Sequence, residues 1–226
     1  MKSKATLVLA VMLMALPTIA QTTVTQTSLD QTIANWPAKP AEAVRTLVAK
    51  YGLPQEVTAS QVMWHNNGPW KHTKVFREEV PHEFPAPHTD FLQQTIAYRV
   101  PTDRFDDLAA YDGSVIAERT KGELSARCDK EELNFLALNL ANDVARGTKT
   151  VEEARRFYAD TAMAFKKGEL RPYTRGLQFS APTTLAAADP DMMFNPAQPM
   201  TSSSSVDPNN VDDVNDAATR QRMSKD

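Results

Sequence analysis

The chain contains one cysteine, Cys128. No internal disulfide can form, so apolar packing and hydrogen bonding must hold whatever fold it adopts. The constraint is sharp because the first twenty residues read as an export signal, and exported chains often rely on paired cysteines. Lys2 and Lys4 form a positive start, Ala5 to Leu16 is apolar apart from Thr6, and Thr18 and Ala20 place small residues where a signal peptidase reads. That apolar run is shorter than the roughly 20 residues a membrane-spanning helix needs. The expected product is a soluble chain, periplasmic or extracellular, with no stable membrane insertion after cleavage. A single thiol in such a compartment is buried, bridged to another chain, or reactive.

Charge narrows the partners. The chain has 25 basic and 28 acidic residues, and without Lys2 and Lys4 the acidic excess grows. Nucleic-acid binding calls for a basic face, and none is visible. Residues 21–39 are polar and Thr/Gln-rich, and they read as a flexible lead-in. Residues 181–226 combine five prolines, seven aspartates and the run Ser202 to Ser205. That composition buries too little apolar surface to offset ordering, so a disordered tail is expected. One domain remains, residues 40–180.

Within it, helical and strand periodicities alternate. Ala43, Val44, Leu47, Val48 and Tyr51 form a helical stripe after Pro40 and before Gly52. Gln61 to His65 and Trp70 to Arg77 flank Asn67-Gly68, a strong hairpin signal. Leu92 to Val100 alternates, with Gln94 interrupting the apolar face. A short helix runs to Tyr111 before Gly113, and Val115 to Arg119 and Glu123 to Arg127 form a second hairpin. Asp129 with Glu132 suggests a cap for a helix whose stripe runs from Leu133 to Val144. Thr150 with Glu153 is a capping box for the last helix.

The order α-β-β-β-α-β-β-α-α predicts an α+β two-layer sandwich, an antiparallel sheet of about five strands packed against helices. Over residues 40–146 this order resembles the type III secretion chaperone-like fold. That likeness implies a dimeric peptide-binding surface.

Four strings carry a second resemblance: Tyr51 to Thr58, Asn67 to Lys71, Gly122 to Asp129 and Asn134 to Ala141. Together they resemble a group of exported bacterial proteins without an assigned activity, and the likeness brings no catalytic residues with it.

All four histidines lie between positions 65 and 88. His82, His88 and Asp90 share the segment Pro81 to Asp90, and imidazole and carboxylate are ordinary ligands for zinc and related divalent ions. The same residues also serve as polar turn residues in a Pro-rich link. His65 and His72 sit on two arms of a hairpin and can meet across it. Cys128 precedes the apolar helix, where a helix N-terminus lowers a thiol's pKa, and Arg127 would act in the same direction. The charges around the second hairpin, Glu118, Arg119 and Glu123 among them, read as a solvated ladder.

Two functions follow as expectations. One is a binding module that presents Trp64, Trp70 and Phe84 to a protein, peptide or small molecule. The other is an enzyme, with a metal at His82, His88 and Asp90 or with Cys128 as nucleophile and Arg127 beside it. Convergence in space separates them: an enzyme needs these groups together, and a binding module needs an exposed apolar patch.

Overall fold

The computed structural model describes residues 24–181. The chain divides into two units, Met1–Asp189 and Pro190–Asp226, and the described residues all belong to the first. The leader and most of the expected C-terminal tail lie outside the described residues. Among those described, no helix is long and apolar enough to cross a membrane.

The fold is α+β, with six antiparallel strands in one open sheet. The strands are β1 (Glu56–Val57), β2 (Gln61–Asn67), β3 (Trp70–His82), β4 (His88–Ala97), β5 (Val115–Glu118) and β6 (Glu123–Cys128). Their spatial order is β1-β2-β3-β4-β6-β5. The helices are α1 (Gln26–Ile33), α2 (Ala38–Tyr51), α3 (Phe105–Tyr111), α4 (Glu131–Ala145), α5 (Val151–Lys166) and the short α6 (Pro172–Arg175). The sixth strand is β1, a two-residue addition at the edge beside β2.

Side chains alternate across a sheet, and one face of this one is apolar. Val62, Trp64 and Val75 pack with Leu29 and Ile33 of α1 and Val44 and Leu47 of α2. Ile96, Leu124 and Ala126 pack with Leu136, Leu140 and Val144 of α4 and with Ala154 and Tyr158 of α5. The opposite face is more polar: His65, His72, Thr95 and Ser125 form a row across β2, β3, β4 and β6. Within that row the Thr95 and Ser125 hydroxyls bond over 2.8 Å.

Three expectations are corrected here. The segment 21–39 is not wholly a flexible lead-in, because α1 buries Leu29 and Ile33 and Trp36 packs behind them. Thr25 and Ser28 cap α1 reciprocally. Asp129 does not cap α4; the helix starts at Glu131, its N-cap is Lys130, and no side chain bonds the cap. The strands flanking the Pro-rich segment are longer than periodicity suggests, β3 reaching His82 and β4 starting at His88. β2 pairs with β3 only as far as Phe76, with one further backbone bond from the Arg77 N–H to the Ser60 carbonyl, so Pro81 lies past the end of the β2 ladder and forfeits no bond to it. The Thr150–Glu153 capping box is present as expected.

Gln94 interrupts the apolar face of β4 because it serves a buried carboxylate. Glu131, at the start of α4, accepts bonds from Tyr51 Oη (2.6 Å), Trp70 Nε1 (2.6 Å) and Gln94 Nε2 (2.9 Å), and it pairs with Lys50. Asn134 in turn donates to Gln94 Oε1 over 3.1 Å. Burial pushes the Glu131 carboxyl up, but these donors together hold it below its ordinary value.

Candidate metal centre

The extension of β3 and β4 builds the site. Past a register shift between Val75 and Val80, Val80 pairs with Asp90, Pro81 with Thr89 and His82 with His88. The two imidazoles therefore stand opposite one another, their ring centroids 4.9 Å apart. Asp90 lies two residues beyond His88, on the same side of the strand. The connecting turn rests on α5: the Phe84 ring lies 5.2 Å from that of Tyr158, and the Arg155 guanidinium sits 4.0 Å over it.

His88 Nε2 lies 3.1 Å from Asp90 Oδ1, and His82 Nδ1 lies 3.2 Å from Asp90 Oδ2. The potential ligand atoms of His82, His88 and Asp90 all fall within 4.8 Å of one another. Asp90 is buried, yet its Oδ1 has no hydrogen-bond partner despite the short approach of His88. The Asp90 contact is the main influence holding the His88 imidazole well above its ordinary value.

Each ring also has its second nitrogen turned to an oxygen. His88 Nδ1 meets the Ala86 carbonyl at 2.9 Å, and His82 Nε2 faces Asp112 Oδ1 at 3.7 Å. The turn after α3 supplies this outer layer. Ser114 donates its hydroxyl to Asp90 Oδ2, and its backbone N–H donates to Asp112 Oδ1 over 2.8 Å. Burial pushes the Asp112 carboxyl up, while the Ser114 N–H and His82 pull it back.

Metal-bound histidines ordinarily offer one nitrogen to the ion and fix the other with an oxygen acceptor. The two rings here are arranged in that way. Zinc–nitrogen and zinc–oxygen bonds of roughly 2.0–2.2 Å in a tetrahedron separate neighbouring ligand atoms by about 3.3 Å. Each imidazole lies near that edge from a different Asp90 oxygen, while one donor atom from each of the three residues falls within 4.8 Å, so the set would tighten around an ion. A His/His/Asp set at this spacing, with one buried carboxylate oxygen lacking a hydrogen bond, can hold a metal ion.

Cys128 ends β6 beside this group. Its Sγ is 3.6 Å from His88 Nε2 and 3.7 Å from Asp129 Oδ1. The reactive-thiol expectation is not supported by its surroundings. Burial pushes the thiol up, Asp129 adds to the rise and His88 only partly offsets it; the helix that was to lower it starts three residues later. Arg127 does not join the group. It projects to the other face of the sheet, with its guanidinium 5.7 Å over Phe76.

The aromatic binding surface is corrected as well. Trp64 and Trp70 are core residues. Trp64 Nε1 donates to the Gly52 carbonyl over 2.9 Å, and Trp70, bonded to Glu131, stacks on Phe135 at 4.6 Å. Phe84 is half-buried beneath Arg155. His65 and His72 do meet across β2 and β3, but each is engaged by a carboxylate, Glu56 at 2.5 Å and Glu123 at 3.4 Å.

Asp112, Ser114 and Glu131 are site or network residues that periodicity does not reveal. Asp-Gly-Ser after a helix reads as an ordinary turn, and a Glu in a helix's first turn reads as a dipole partner.

No family model, curated protein or solved structure matches the chain.

Proposed function

We propose that this chain is an exported metal-binding protein, and that His82, His88 and Asp90 hold a divalent transition ion, zinc first among them. The observation that carries the reading is the orientation of the two imidazoles. In each, one nitrogen turns toward Asp90 and the other toward an oxygen acceptor. The mixed imidazole–carboxylate set suits zinc and its neighbours better than magnesium or calcium, which prefer all-oxygen sites. The export part of the proposal rests on the leader pattern of residues 1–20, and the acidic balance speaks against nucleic acid as the partner.

The two alternatives are weaker on the same residues. A thiol enzyme needs an activated sulfur, whereas burial raises Cys128. A binding module built on Trp64 and Trp70 needs them at the surface, and both are interior.

Calorimetric titration with zinc tests the proposal. Wild type should take one ion per chain, and the double variant His82→Ala/His88→Ala should take none. Absence of heat and of any zinc retained by wild type after desalting would end it.

A further inference from the structure

Resting on that reading, we infer that Cys128 supplies a fourth donor, so that the ion sits in a closed His/His/Asp/Cys centre that selects thiophilic metals. The sulfur meets the group at the His88 corner, 3.6 Å from Nε2. Zinc–nitrogen and zinc–sulfur bonds of roughly 2.0–2.1 and 2.3 Å place neighbouring N and S donors about 3.6 Å apart in a tetrahedron. The Asp90 Oδ1 atom that approaches the same nitrogen at 3.1 Å is buried and has no other polar partner.

Topology brings the sulfur to the correct side. Cys128 pairs with Leu92, so it shares the helix-covered face with Leu92 and, by the two-residue period, with Asp90 and His88. The pairing of β6 with β4 stops there and α4 begins only at Glu131. The sulfur lies outside the 4.8 Å grouping of His82, His88 and Asp90, so it closes onto the ion by a shift at a strand end, where no ladder continues beyond Cys128. On binding, the thiol proton and any proton on the ligating imidazole nitrogens leave to solvent, and the sulfur coordinates as thiolate.

The chemical consequence is selectivity. Thiolate with imidazole favours zinc, cobalt and copper over magnesium, calcium and manganese. Four protein donors also leave no position for substrate water, which is the pattern of structural and storage sites.

Cobalt(II) titration of the full chain reads this directly. Expected for wild type are the intense visible bands of a four-coordinate ion and a thiolate-to-cobalt charge-transfer band in the near ultraviolet. Cys128→Ser should still bind cobalt, without the charge-transfer band, and at least roughly 10–100-fold more weakly, the loss that even an outer partner causes. X-ray absorption of zinc-loaded wild type needs no variant and should show a sulfur scatterer at about 2.3 Å. Cobalt or zinc bound with neither signal overturns the thiolate donor and leaves the His/His/Asp centre standing. No bound metal in wild type overturns the metal reading itself, and the donor inference with it.

Discussion

His82 and His88 are cross-strand partners at the last paired positions of β3 and β4, their rings 4.9 Å apart. Register alone brings them together, and a slip of one residue would send one ring to the opposite face. The turn between them is held from outside the hairpin by Arg155, which stacks on Phe84 and donates to the Tyr111 carbonyl over 2.6 Å. Turn, α3 and α5 therefore fix the register together.

The outer layer should be measurable. Ser114→Ala frees Asp90 Oδ2, and Asp112→Asn removes the carboxylate facing His82. Each should weaken zinc by roughly 10–100-fold while one ion per chain is retained. Competition against a chelator of known affinity checks this. Unchanged affinity in both would mean that the Asp112–Ser114 turn serves only the fold.

Proton competition gives a direction with pH. The neighbouring Asp90 keeps His88 protonated above the ordinary imidazole range, and zinc must displace that proton. Zinc affinity should therefore rise with pH, with proton release visible as a buffer-dependent heat. Without metal the sign reverses for stability. A folded-state value raised above the unfolded value of roughly 6.5 contributes fully below that pH and is lost as pH climbs through the raised value. The metal-free protein should thus lose urea resistance toward alkaline pH, and His88→Ala should flatten that slope.

Glu131 predicts the opposite behaviour. Its donors hold the carboxyl below its ordinary value against the pull of burial. Its contribution is present above the unfolded value of roughly 4.3 and disappears as pH falls through the lower folded value. Glu131→Ala strands the Trp70 and Gln94 donors, at ~1–3 kcal/mol each. Urea unfolding at neutral pH should show a loss of about 3 kcal/mol or more, with less dependence on acid than wild type.

Thr150 bonds the Glu153 backbone N–H over 3.2 Å, and the Glu153 carboxylate returns a bond to the Thr150 N–H over 2.8 Å. Thr150→Ala should cost ~1 kcal/mol in urea unfolding. No change would mean that packing of Ala154 and Tyr158 alone fixes the start of α5.

Much of the scaffold was legible because it follows period. The α2 and α5 stripes, the Asn-Gly hairpin and the β5–β6 hairpin all stand where alternation or helical spacing puts them. Half of the candidate centre was legible too, since His88 and Asp90 are two apart and share a face in any extended segment. The rest depended on facts that no local window holds. β3 runs through Pro81 only because β2 has already ended. Asp112 and Ser114 reach the centre through a turn 22 or more positions downstream of Asp90, and nothing in an Asp-Gly-Ser string announces it. Trp64 and Trp70 carried the right signal for the wrong place. Aromatics are enriched at interfaces and in cores alike, and here their indole N–H groups found partners inside.

His82, His88 with Asp90, and Cys128 arrive from three separate strands: the end of β3, the start of β4 and the end of β6. An ion seated among them would clasp all three, and it could not be held by the unravelled polypeptide in the same way. Each tenfold increase in free ion above the dissociation constant would then add ~1.4 kcal/mol to the work of unfolding. The stability of the fold would follow the metal content of its surroundings, in a chain with no internal disulfide to make it indifferent to them.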